Sequence, residues 1–102
     1  MKTQNFRLAH EFGTDLSSRQ RAAQLREAIV GAASRTEAKC EIDFAGVRTL
    51  SDSFADELFG ILVSEQGEEW FRDHVLLLNL PPLLRTTILE AVADRLSLSA
   101  SK

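Results

Sequence analysis

The sequence predicts a small α/β domain with a largely parallel sheet and elements in the order β-α-β-α-β-α. Extended segments alternate with segments of helical periodicity in three cycles. The run from Val75 to Leu78 is apolar at four consecutive positions, as in a central strand covered on both faces. Strand, helix and strand in succession imply a right-handed crossover. The 102 residues suffice for one core, so the chain is read as a single domain, 1–102, with a frayed end at 97–102.

The first strand is placed at residues 6–9, near a sheet edge, with Phe6 and Leu8 on one face and Asn5, Arg7 and Ala9 on the other. A helix follows over 18–33. Ser17 and Gln20 stand at capping-box spacing, Ala22, Leu25, Ile29 and Ala33 recur at helical intervals, and Arg19, Arg26 and Glu27 form the polar face. The second strand, 39–45, alternates Cys40, Ile42 and Phe44 with Glu41 and Asp43, and Gly46 ends it. The third strand is 74–78. Pro81 and Pro82 then lead into the last helix, whose inner stripe is Leu84, Ile88, Ala91 and Val92.

Apolar residues make up 44% and charged residues 26%, with 15 acidic against 12 basic side chains, which is the composition of a soluble folded domain. Net charge is −3 and the basic residues are scattered, so nucleic acid is not an expected partner. The amino terminus has no apolar stretch of signal-peptide type, and the richest apolar segment, 75–84, is too short to span a bilayer. A cytoplasmic location with no membrane partner is expected, and Cys40, the only cysteine, is expected as a buried thiol in a reducing compartment.

The most informative stretch, IDFAGVRTLSDSFADELFGIL (42–62), passes from a strand through a short loop into a helix with an acidic start. Ser53 and Asp56 have capping spacing, and Asp52, Asp56 and Glu57 suit the positive end of a helix dipole, so Ser51, Asp52 and Ser53 are accounted for by capping alone. The rest of this helix is less ordinary. At the α-helical pitch Phe54, Ala55, Leu58, Phe59, Ile61, Leu62 and Val63 spread over roughly 200°, more than one sheet covers. Phe59 and Val63 fall at the border of that sector, to be covered either by another helix of the domain or by another protein.

The run DFAGVRTLSDSFADELFG (43–60) resembles the signature of the STAS-like domains of unknown function, bacterial relatives of the anti-sigma-factor antagonists. FGTDLSSRQRAAQLREAI (12–29) resembles that family's first helix and its approach, and LLLNLPPLLRTTILEAVADRL (76–96) its final strand and helix. The resemblance implies a STAS-like mixed sheet with helices packed against it, in a protein that works by binding. In the antagonists, a partner kinase phosphorylates a serine that directly follows an aspartate, and the phosphate switches which protein is bound. Aligned without a gap, Asp52 stands where that serine would be, Ser51 where the antagonists have aspartate, and Phe54 where they have glycine. Asp52 then supplies a fixed negative charge, and Ser51 and Ser53 remain as candidate phosphorylation sites, where a phosphate would face Asp52, Asp56 and Glu57.

No grouping of histidines, cysteine and carboxylates has metal-ligand spacing, and the five glycines form no phosphate-binding loop. No cofactor, metal or catalytic residue is therefore expected. The expected function is a non-catalytic interaction module of a bacterial partner-switching circuit. It would bind an ATP-binding kinase-like regulator through 49–63, using Ser51, Asp52, Ser53, Phe54, Asp56, Glu57, Phe59 and Val63. The alternatives are a small-ligand or nucleotide sensor working at the carboxyl ends of the strands, and a homodimer built on the Phe59 and Val63 edge.

Overall fold

A computed structural model describes residues 3–36 and 39–100. In chain order its elements are β1 (Thr3–Arg7), α1 (Leu8–Phe12), β2 (Asp15–Leu16), α2 (Arg19–Thr36), β3 (Lys39–Asp43), β4 (Thr49–Leu50) and α3 (Asp52–Ala55). A π-helical turn (Asp56–Gly60), α4 (Ile61–Gln66), α5 (Glu68–His74), β5 (Val75–Leu78) and α6 (Pro82–Ala100) follow. The predicted α/β class is the one observed, and the parallel sheet with helices packed on it agrees with a STAS-like fold.

The main sheet has the order β1-β3-β5 and both its pairings are parallel, with Phe6 opposite Ile42 and Ile42 opposite Leu77. Because side chains alternate along a strand, this register puts Phe6, Cys40, Ile42 and Val75 on one face, where all four are buried. The helices gather on that face. The other face carries Asn5, Arg7, Glu41 and Asp43 and meets solvent, with Asn5 donating to Glu41 at 3.1 Å. The alternation predicted for 39–45 thus describes β3 correctly.

β1 lies at a sheet edge, as expected, although it is shorter at its carboxyl end. Leu8 and Ala9 have turned into α1, and Leu8 is still buried. β5 departs from expectation. It occupies the opposite edge, beside β3, and Leu76 on the open face is 44% exposed. An apolar run of four residues fits an edge strand equally well, because Val75 and Leu77 alone satisfy the covered face.

α2 buries the predicted Ala22, Leu25, Ile29 and Ala33. Its cap is Ser18, whose Oγ accepts from Arg21 N–H at 3.2 Å, rather than the expected Ser17. Pro82 opens α6, where a missing N–H costs nothing, and Leu84, Ile88 and Ala91 face the core with Val92 partly buried. The end expected to fray at 97–102 falls partly on α6, which continues to Ala100, and partly outside the described residues. Trp70 and Phe71 lie on α5, between α4 and β5, and are partly buried against the core.

Among the described residues no helix is long and apolar enough to cross a membrane. Cys40 is fully buried in β3, its thiol directed at the Ile29 carbonyl at 3.7 Å, and burial pushes its pKa up. A protonated thiol without solvent access reacts only when the fold opens. We expect a thiol reagent at neutral pH to label Cys40 roughly a thousandfold more slowly in the native chain than in denaturant. Native labelling at the denatured rate would contradict the burial.

Candidate functional site

The loop before α3 is tied down by a second, two-stranded sheet. β2 pairs in parallel with β4, Asp15 against Thr49 and Leu16 against Leu50, and Ser51 N–H extends the ladder to the Leu16 carbonyl at 2.8 Å. Thr49 Oγ1 donates to Asp15 at 2.7 Å. Strands of two residues give no periodicity, so this clamp had no signal in the sequence beyond the Thr-Leu and Asp-Leu pairs themselves.

Ser51 is the cap of α3. Its extended backbone turns the chain, its Oγ accepts from Phe54 N–H at 3.0 Å, and the same hydroxyl donates to the Ser17 carbonyl at 3.4 Å. The capping residue is therefore Ser51 and not Ser53, because Asp56 is engaged elsewhere. Asp52 is exposed in the first turn of α3 and Ser53 is half-buried beside it.

Phe54 and Ala55 turn inward, and from Asp56 the helix loosens into the π turn, in which Ile61 N–H donates to the carbonyl of Asp56, five residues back. This turn explains the overly wide apolar sector. Phe54 and Ala55, Leu58 and Phe59, Leu62 and Val63 recur as pairs every four residues. At about 100° per residue each four-residue step drifts by about 40°, so in a regular helix the pairs fan out. One extra residue in a single turn sets the helix back by about 100° and returns the third pair to the face of the first. All six are at most 2% exposed.

Phe59 stacks on Phe44, with ring centroids 6.2 Å apart, and meets Phe71 of α5 edge-on at 6.0 Å, while α4 packs on α5 and α6. Helices of the chain itself, not another protein, cover Phe59 and Val63. Phe54, Phe59 and Val63 therefore lie in the core, and the Phe59 and Val63 edge expected for a homodimer is occupied internally.

Asp56 and Glu57 point away from that core into a network of three arginines. Arg95 of α6 grips Asp56 with two bonds of 2.7 Å from Nε and Nη2. Arg19 of α2 reaches both carboxylates at 3.2 Å, and Arg26 Nη1 binds Glu57 Oε2 at 2.9 Å and also donates to the Glu57 carbonyl. Arg26, assigned to a solvent-facing stripe by periodicity, is half-buried. Arg95 holds the Asp56 carboxyl below its usual range, and Arg26 does the same for Glu57, with Arg19 adding to both. Neither carboxylate is a free docking group.

An open cleft of about 280 Å³ lies between the start of α3 and α6, lined by Arg19, Asp52, Ser53, Asp56, Thr87, Glu90, Ala91 and Asp94. Of the expected site residues, the structure brings Asp52, Ser53 and Asp56 to this cleft, leaves Ser51 in the loop behind it, and turns Phe54, Phe59 and Val63 into the core. Thr87, Glu90 and Asp94 were missed, since they share only the solvent stripe of a helix read for its buried side. A second cleft, of about 300 Å³, is lined by Arg7, Ala9, His10, Asp43 and Ala45 at the carboxyl ends of β1 and β3. There Asp43 is held below its usual pKa, chiefly by Asn79, which donates to it at 2.9 Å, and by Ala45 N–H. Among the described residues no cluster of three or more potential metal ligands occurs.

Residues 21–82, well over half of the chain, match the model of a family described as a STAS-like domain of unknown function. Neither a curated protein nor a solved structure gives a significant match.

Replacing Phe59 by Asp would bury a charge at a site of 0% exposure, at a cost of several kcal/mol. We expect the variant to lose its cooperative thermal transition; a folded variant of near-native Tm would contradict the packing. Ser51→Ala, which removes the cap, should cost about 1 kcal/mol in denaturant unfolding. Because the folded pKa values of Asp56 and Glu57 are depressed, their stabilisation is complete above about pH 5 and is lost as pH falls through the folded values. Arg95→Gln should destabilise by about 2 kcal/mol at neutral pH and flatten the acid limb of the stability profile. An unchanged acid limb would remove Arg95 from the account.

Proposed function

We propose a binding function for this chain, which belongs to the family of STAS-like domains of unknown function: it acts as a non-catalytic protein-interaction module in a partner-switching circuit. Its partner is an ATP-binding kinase-like or related regulator, met through 49–53 and the cleft beside it. The observation that carries this reading is the way Asp52 and Ser53 are held. The β2–β4 clamp and the Ser51 cap fix the loop, and the π turn anchors the helix behind it, so two polar side chains stand on a rigid base over an open cleft. Preorganised groups of this kind bind without an ordering cost.

The same geometry separates the two candidate phosphorylation sites. Ser51 Oγ is spent on the cap, and its modification would break the bonds to Phe54 and Ser17. Ser53 opens into the cleft, where a phosphate would confront Asp52, Glu90 and Asp94 and change the surface charge at once. Ser53 is therefore the acceptor this reading favours. The small-ligand alternative would use the second cleft, at the carboxyl ends of β1 and β3, and has less support because β1, β3 and β5 follow one another across the sheet without the reversal of strand order at which such sheets usually bind ligands.

Asp52→Lys reverses an exposed charge without touching the core. Immobilised wild type should retain an ATP-binding regulator from lysate of the native cell, and Asp52→Lys should retain at least tenfold less. Equal retention by both, or recovery of no such regulator with or without ATP, would overturn the proposal.

A further inference from the structure

Resting on the interaction-module reading, the partner's chemistry can be drawn from the solvent face of α6. Leu83, Thr87, Glu90 and Asp94 are spaced by four, three and four residues, so they form one stripe along the helix. Thr87, Glu90 and Asp94 line the cleft below Asp52 and Ser53. Leu83, in the first turn of α6, begins the stripe and is 82% exposed.

The charges on this surface are unequal. Arg19, the only cation lining the cleft among the described residues, is bonded to Asp56 and Glu57, and Asp56 is further neutralised by Arg95. Asp52, Glu90 and Asp94 make no ion pair among the described residues. Asp52, Glu90 and Asp94 thus leave this surface anionic, and the exposed Leu83 continues it one helical turn before Thr87.

We infer that this face of α6, from Leu83 to Asp94, is the docking surface for a cationic amphipathic helix of the partner. The occupant places an apolar residue on Leu83 and lysines or arginines opposite Glu90, Asp94 and Asp52. Charge complementarity sets its sign, since an acidic or neutral segment would leave three carboxylates desolvated and unpaired. A helix suits the shape. The stripe runs about 16 Å along α6, roughly three turns, and offers no free strand edge for an extended peptide to join.

The test uses the full chain, isotopically labelled, titrated with a synthetic amphipathic helix of leucine and lysine of about 18 residues and with its leucine-glutamate counterpart. The lysine peptide should perturb the amides of Asp52, Leu83, Thr87, Glu90 and Asp94 in a saturable way, and the glutamate peptide should not. Glu90→Lys with Asp94→Lys should raise Kd at least tenfold, Leu83→Ser severalfold, and the remote pair Glu68→Lys with Glu69→Lys by less than about twofold. Equal weakening by the remote pair would reduce the effect to net charge and overturn the inference. So would perturbations centred on the other groove beside α6, lined by Leu77, Leu80, Arg85, Ile88 and Leu89, or self-association of the chain through this face. The two proposals fail separately. A captured regulator indifferent to the Glu90 and Asp94 reversal removes the surface and keeps the circuit, and a mapped peptide without any captured regulator does the reverse.

Discussion

The grip of Arg95, Arg19 and Arg26 on Asp56 and Glu57 is the interaction on which the rest of the structure depends. A π turn gives up the regular i→i+4 ladder and is seldom adopted without compensation. Here Arg26 supplies a donor to the Glu57 carbonyl, while Arg95 and Arg19 fix the side chains on either side of it. The turn in turn sets the phase of the helix. Without it, Phe54 and Leu62 could not share the face they bury, and the start of α3 would project elsewhere. The two long helices α2 and α6 both pack against this turn, α6 also along α3 and α4 and α2 also against α3, and the five charged side chains tie them together there.

Much of the fold was legible because its signals are local. The alternation in β3, the inner stripes of α2 and α6, and the proline start of α6 each follow from a period or a steric rule that acts within a few residues. What was not legible depends on contacts distant in sequence. The β2–β4 clamp joins segments more than thirty residues apart through two residues each. The placement of β5 at an edge is decided by its pairing with β3 alone, a contact between segments more than thirty residues apart. The site was half legible: the acidic helix start was visible, but whether each carboxylate was free or paired depended on arginines in other helices.

The misread feature is the most instructive. At a fixed α-helical pitch, residues 54–63 present an oversized apolar surface with Phe59 and Val63 at its border; the π turn removes that surface and buries both. Here apolar pairs repeat every four positions, in place of the usual alternation of three and four, and the π turn brings the first and third pairs to one face. With those residues returned to the core, the exposed chemistry shifts to Asp52, Ser53 and the outer stripe of α6.

Gly60 closes the π turn where α6 comes nearest. A methyl group there would stand 2.8 Å from Asp56 Oδ1, 2.9 Å from Arg95 Cγ and 3.2 Å from the Ala91 carbonyl. The absence of a side chain is thus what lets the Asp56–Arg95 pair form at its short distance. Positions 56, 60, 91 and 95 are consequently coupled through one shared volume: a side chain added at 60 must displace the Asp56–Arg95 pair or the α6 backbone at Ala91, so substitutions at these positions are not energetically independent.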